Sequence, residues 1–101
     1  MNKCHFLGKL DGEPDVYIEK GVSVIRFTLE VEEYRKGRDG EKIRSFTYLE
    51  FEAWDTAAKA IKKYAYPDCM IAVEAIARND DSSENDMDIV FRVTSFKILH
   101  G

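Results

Sequence analysis

The sequence predicts an all-β fold, five strands with one short helix between the third and the fourth. Three observations predict it. Residues 48–54, Tyr-Leu-Glu-Phe-Glu-Ala-Trp, alternate apolar and polar side chains, the period of a half-buried strand. Residues 55–65 then switch to helical spacing, and no other segment does. The rest of the chain is strand-length apolar patterning broken by Gly, Pro and Asp turn clusters.

The elements follow in order. Strand one is expected over about residues 2–10, ended by Asp11-Gly12-Glu13-Pro14, where Gly accepts positive φ and Pro fixes its own. A short strand at Val16–Glu19 leads into the Lys20-Gly21 turn, and strand two runs from Val22 to Tyr34. Residues 35–42 hold Gly37 and Asp39-Gly40, and Asp-Gly is a strong hairpin dipeptide; strand three then covers Ile43–Trp54. Asp55 is placed to cap the helix with its carboxylate. Ala57, Ala58, Ile61 and Tyr64 make one apolar stripe, and Lys59, Lys62 and Lys63 take the wet face. Pro67 stops the helix. Strand four is expected over 69–78 and strand five over 87–99, joined by a polar hairpin loop from Asn79 to Asp86.

Alternation also assigns faces. Ile25, Phe27, Leu29 and Val31 of strand two suit a core, as do Leu49, Phe51 and Ala53 of strand three. The opposite faces carry Val24, Arg26, Thr28, Glu30, Glu32 and Tyr34, and Tyr48, Glu50, Glu52 and Trp54. If the strands pair antiparallel, Tyr34, Tyr48 and Trp54 share one outward surface with Arg26. Rings spaced among cations form a stacking platform for unpaired bases. The alternative is that Tyr48 and Trp54 seal a barrel edge or a subunit contact. Phe46 has the same parity and either extends the platform or covers the bottom of the barrel. In and beside the long hairpin lie Arg35, Lys36, Arg38, Lys42 and Arg44, a basic arm suited to neutralising phosphates, or else a mixed-charge solvated hairpin. Lys3, Lys9 and Arg78 are weaker candidates.

Composition bounds the function. The 101 residues fit one domain, 1–101, with a modest core. No apolar run approaches the ~20 residues of a membrane helix, and the N-terminus lacks a signal-peptide pattern, so a cytoplasmic protein is expected. Cys4 and Cys69 have no metal or CxxC spacing; two small buried side chains fit a reducing compartment, with a disulfide the alternative. His5 and His100 are isolated, so no metal or cofactor is implied. The serines lack a base at recognisable spacing, and no catalytic residue is proposed. Net charge is −4, but residues 79–88 hold five acids and no base, leaving the remainder at +1. With screening over ~8 Å, an acidic loop and a basic groove coexist if the loop lies away from the path of the phosphates.

The ordered set of residues resembles the bacterial and phage single-stranded DNA-binding protein family of homo-oligomeric OB-folds. Met1-Asn2-Lys3 with Leu7-Gly8-Lys9-Leu10 matches its first strand. Gly21 with Val24-Ile25-Arg26-Phe27-Thr28-Leu29 matches the second. Trp54, Ala57-Ala58, Tyr64 and Val73-Glu74 match the third strand, helix and fourth strand. Val93 with Phe96-Lys97-Ile98-Leu99 matches the last. The resemblance implies a Greek-key OB barrel that binds unpaired DNA through stacked aromatics in replication, recombination or repair, as a homodimer or homotetramer. Tyr48 and Trp54 fall on two family stacking positions and Tyr34 on or beside a third. The segment Asn2–Leu10 is then a subunit contact.

The chain departs from that pattern in three ways. Glu50 and Glu52 share the face of Tyr48 and Trp54, where carboxylates repel phosphate. The hairpin after strand four carries acids instead of basic or aromatic residues. The sequence ends at Gly101, without the family's acidic tail that recruits replication and repair proteins. Glu50, Glu52 and the acidic loop sustain a second reading, an OB-fold adaptor like the primosome accessory subunits, acting through protein contacts.

Overall fold

The computed structural model describes residues 1–99; His100 lies outside them. Five strands, β1 (Cys4–Glu19), β2 (Val22–Lys36), β3 (Lys42–Trp54), β4 (Met70–Asn79) and β5 (Ile89–Leu99), and one helix, α1 (Thr56–Tyr64), appear in the predicted order. The sheet closes as β1-β2-β3-β5-β4, the five-stranded OB barrel. All pairings are antiparallel except the short seam where β3 meets β5, Phe51↔Phe91 and Glu52↔Arg92.

The expected break after residue 10 does not occur. β1 runs on to Glu19 through a register shift between Asp11 and Asp15, where Gly12 takes φ +71°. The turn residues make a bulge instead of a turn, and a bulge bends a strand without ending it. The first half of β1 pairs with both β4 and β2, the second with β2 alone, so one strand serves two sides of the barrel.

The core is aromatic at its centre. Phe51, fully buried, stacks on Phe27 at 5.4 Å and meets Phe6 and Phe91, each at 5.6 Å. Leu10, Ile25, Leu29, Ile61 and Ile71 fill the space around it. Gly8 marks a tight crossing of β1 over β2: a Cβ there would sit 2.9 Å from the Glu30 carbonyl oxygen. Asn2 extends the β1–β4 seam with its side chain, donating to the Ala77 carbonyl (2.7 Å) and accepting from the Ala77 N–H (2.8 Å), as a strand backbone would.

Helix α1 buries Ala58 and Ile61 and packs on β2, β3 and β5. Its cap differs from expectation. The Asp55 carboxylate makes no capping bond and lies 3.9 Å from Lys59 Nζ. Asp55 adopts φ 55°, and its backbone does the work: its N–H donates to Ser23 O (2.7 Å) and its carbonyl accepts from Lys59 N–H (3.0 Å). The sharp β3–α1 corner turns the carboxylate away from the helix's free N–H groups. Cys69 is buried and Cys4 half-buried, and both thiols are free.

Candidate nucleic-acid interface

The β2–β3 hairpin positions the candidate surface. Its ladder is unbroken from Val24↔Trp54 to Lys36↔Lys42, so the residues of each pair share a face. Along the outer face run Val24↔Trp54, Arg26↔Glu52, Thr28↔Glu50, Glu30↔Tyr48, Glu32↔Phe46 and Tyr34↔Arg44. Among the described residues, β2 no longer pairs with β1 beyond Glu30, and the β3–β5 ladder is limited to Phe51↔Phe91 and Glu52↔Arg92. The distal hairpin is therefore a two-stranded arm leaving the barrel, closed by a turn in which Gly37 N–H donates to Glu41 O (2.7 Å) and Gly40 takes φ +82°.

The arm displays rings with cations on them. Tyr34 is 53% exposed and Tyr48 56% exposed. Lys42 Nζ sits 4.0 Å from the Tyr34 ring centre, and the Arg44 guanidinium 4.7 Å from that of Phe46, which is also exposed. The Arg44 Nε is 3.0 Å from Glu32. The Tyr48 hydroxyl donates to Glu30 (3.0 Å), which raises its pKa above the ordinary phenol value, because ionisation would break the bond and set two anions together. Tyr34 is raised for the same reason by Glu32. Among the described residues, Arg35, Lys36 and Arg38 make no ion pair, and Lys36 stands directly across from Lys42. Like charges opposed in this way repel until an anion lies between them.

A family model described as the single-strand binding protein family matches residues 1–98. The chain belongs to that family. Among solved structures, a deletion mutant of the single-stranded DNA binding protein from Thermus aquaticus superposes with a TM-score of 0.86 at 16% identity, covering 100% of this chain and 51% of that one. This chain thus spans about half the length of that protein. A Plasmodium falciparum SSB, solved in complex with ssDNA, gives 0.85 at 20% identity, covering 99% and 96%. The protein PriB from Ralstonia solanacearum gives 0.75 at 11% identity, covering 99% of each chain. No curated protein matches by sequence. At these identities the superpositions establish a common barrel.

At the other end of the outer face, this member of the single-strand binding family departs from the sequence expectation. Val24 and Glu52 have outward parity yet are buried, Glu52 to 5% exposure. Val24 lies between Tyr17 and Trp54, its neighbours across the ladder on either side. Glu52 is enclosed by arginines: Arg92 Nε and Nη2 donate to its Oε1 (3.0 and 2.8 Å), and Arg26 Nη2 to its Oε2 (3.2 Å). Arg26 is further gripped by Asp80, Nη1 to Oδ2 at 3.1 Å and Nη2 to Oδ1 at 3.0 Å. Asp80 also accepts from the Ser82 hydroxyl (2.7 Å) and N–H (3.0 Å). The Arg26 bonds, then those of Ser82, hold the Asp80 carboxyl well below the usual carboxylate range. Asp80 in turn raises Arg26 above its ordinary value.

The acidic β4–β5 loop therefore does not lie away from the outer face; its first acid is docked on Arg26. Trp54 is half-buried, with the Arg92 guanidinium 4.9 Å from its ring centre and its Nε1 buried without an acceptor among the described residues. Tyr17, Arg78 and Ser82 join them around a cleft. Of the weaker candidates, Lys3 pairs with Glu74 (3.0 Å), Lys9 lines the groove beside Tyr34, and Arg78 is exposed at the Trp54 cleft. Sequence reasoning passed over Arg92, Tyr17 and Asp80. Arg92 did carry a signal, as a lone charge inside the apolar run Ile89-Val90-Phe91-Arg92-Val93.

No helix among the described residues is long and apolar enough to cross a membrane.

Proposed function

We propose that this chain binds single-stranded DNA with little sequence preference, as a small homo-oligomer serving replication, recombination or repair in the cytoplasm. It is a binding protein and not an enzyme. The observation that carries this reading is the pair of exposed phenols, Tyr34 and Tyr48, on the outer face of a barrel of the single-strand binding family, where burial does not hold them. Tyr34, Tyr48 and Trp54, joined by Phe46, offer ring faces to successive bases. Arg35, Lys36, Arg38, Lys42 and Arg44 on the arm neutralise phosphates and release counterions. Arg26, bonded to two carboxylates, organises the face from within.

Titration of Trp54 fluorescence with oligo-dT at low and moderate salt tests the proposal. Quenching that weakens with salt is expected. Absence of binding up to tens of micromolar DNA, the range of weak non-specific association, refutes it. That result favours the adaptor reading, which the carboxylates Glu30, Glu32 and Glu50 on the same face support.

A further inference from the structure

Four glutamates stand on the outer face, and a phosphate chain passing over them meets repulsion. They are not equivalent. Among the described residues Glu50 is exposed and makes no ion pair, whereas Glu52 is buried with both oxygens bonded to guanidiniums. Arg26 and Arg92 against Glu52 and Asp80 make a chain of alternating charge with no net charge, so Glu52 projects little field toward a ligand.

What Glu52 does project is Arg92. Two of the guanidinium nitrogens, Nε and Nη2, converge on one carboxylate oxygen, a two-donor contact from the rigid edge of a guanidinium that the single nitrogen of a lysine does not reproduce. The same guanidinium lies 4.9 Å from the Trp54 ring centre. Its third nitrogen, Nη1, makes no hydrogen bond among the described residues, and the side chain is 32% exposed at the cleft that Trp54 and Tyr17 line. An arginine free on a surface loses rotamer freedom when it grips a ligand; one already held loses little.

We propose that Arg92 contacts the bound strand beside Trp54, with Nη1 on a phosphate, and that Glu52 is its positioning residue, a carboxylate on the DNA-facing surface that strengthens binding. This rests on the single-stranded DNA reading above. It assigns Arg26 and Asp80 the task of holding Glu52, and it completes the Trp54 end with a cation where the β4–β5 loop supplies none.

Charge alone predicts that Glu50→Gln and Glu52→Gln act alike, since each removes one negative charge from one face. The proposal predicts opposite signs. Affinities for 5′-labelled oligo-dT are measured by anisotropy across a salt series, with thermal melts to score folded protein. Glu50→Gln is expected to tighten binding. Arg92→Ala is expected to weaken it roughly five- to fiftyfold and to reduce the salt slope by about one, as the loss of one phosphate contact requires. Glu52→Gln is expected to weaken binding about threefold or more, and to cause no further loss in the Arg92→Ala background. Arg92→Lys, which keeps the charge but not the fork, is expected to weaken binding while retaining most of the salt slope. A folded Glu52→Gln that binds more tightly than wild type overturns the inference. So does Arg92→Ala with unchanged affinity and slope; that side chain is partly exposed, so this variant remains decisive if Glu52→Gln fails to fold. If wild type binds and only these variants miss expectation, the inference alone fails; a wild type that does not bind takes both down.

Discussion

Replacing Asp80 with Asn probes the pair that ties the acidic loop to the barrel. The Asp80 carboxylate is buried, meets Arg26 at 3.0 and 3.1 Å, and takes two more bonds from Ser82. Removing one partner of a buried ion pair costs ~3–5 kcal/mol. Here the cost is smaller, because Arg26 keeps Glu52, retains some solvent contact, and Asn still accepts one hydrogen bond. A loss of about 2 kcal/mol at neutral pH is expected, roughly 8–16 °C in Tm for a domain of this size. The pH dependence carries the sharper test. The folded pKa lies below the unfolded carboxylate value of ~3.9. The stabilisation is therefore complete above that value and declines as pH falls toward the folded pKa. Melts of wild type and Asp80→Asn across pH 2.5–8 should show a constant Tm gap from pH 5 to 8 that narrows below about pH 4. An equal gap at pH 3 and pH 7, or none at pH 7, refutes the reasoning.

Other expectations follow from the same geometry. Phe51→Ala removes the ring on which Phe6, Phe27 and Phe91 converge and should cost ~3–5 kcal/mol, read as a lowered denaturant midpoint. Gly8→Ala forces a methyl against the Glu30 carbonyl and Leu29 Cβ, at 2.9 and 3.0 Å, and should destabilise by ~1–3 kcal/mol in thermal melts while leaving DNA affinity per folded molecule unchanged. Tyr48→Ala should weaken oligo-dT binding about 5- to 150-fold, the value of one stacked base, with little change in Tm; unfolding with unchanged affinity per folded molecule would mark that ring as structural.

The fold was legible because its signals are local. Alternation in 48–54, the helical period after Asp55 and the Asp39-Gly40 turn each act over a few residues, and the strands and helix lie where those periods put them. Turn chemistry misled once: Gly12 and Pro14 read as the end of a strand, and the barrel uses them as a bulge because β1 must serve two neighbours. Parity predicted which side chains point outward, and the ladder places Tyr34, Tyr48 and Trp54 on one face. Parity did not predict burial at Val24 and Glu52, since pointing away from the core is no guarantee of meeting water.

Residue order alone determined the strand periods, the place of the helix after Asp55 and the shared face of the rings, because each depends on backbone geometry repeating over two to four positions. Only the closed barrel decided the rest. Arg26, Glu52, Asp80 and Arg92 come from four separate segments, and bringing β3 beside β5 is what sets Glu52 against Arg92. Charges interact through distance in space, and sequence separation carries no record of that distance until the sheet closes.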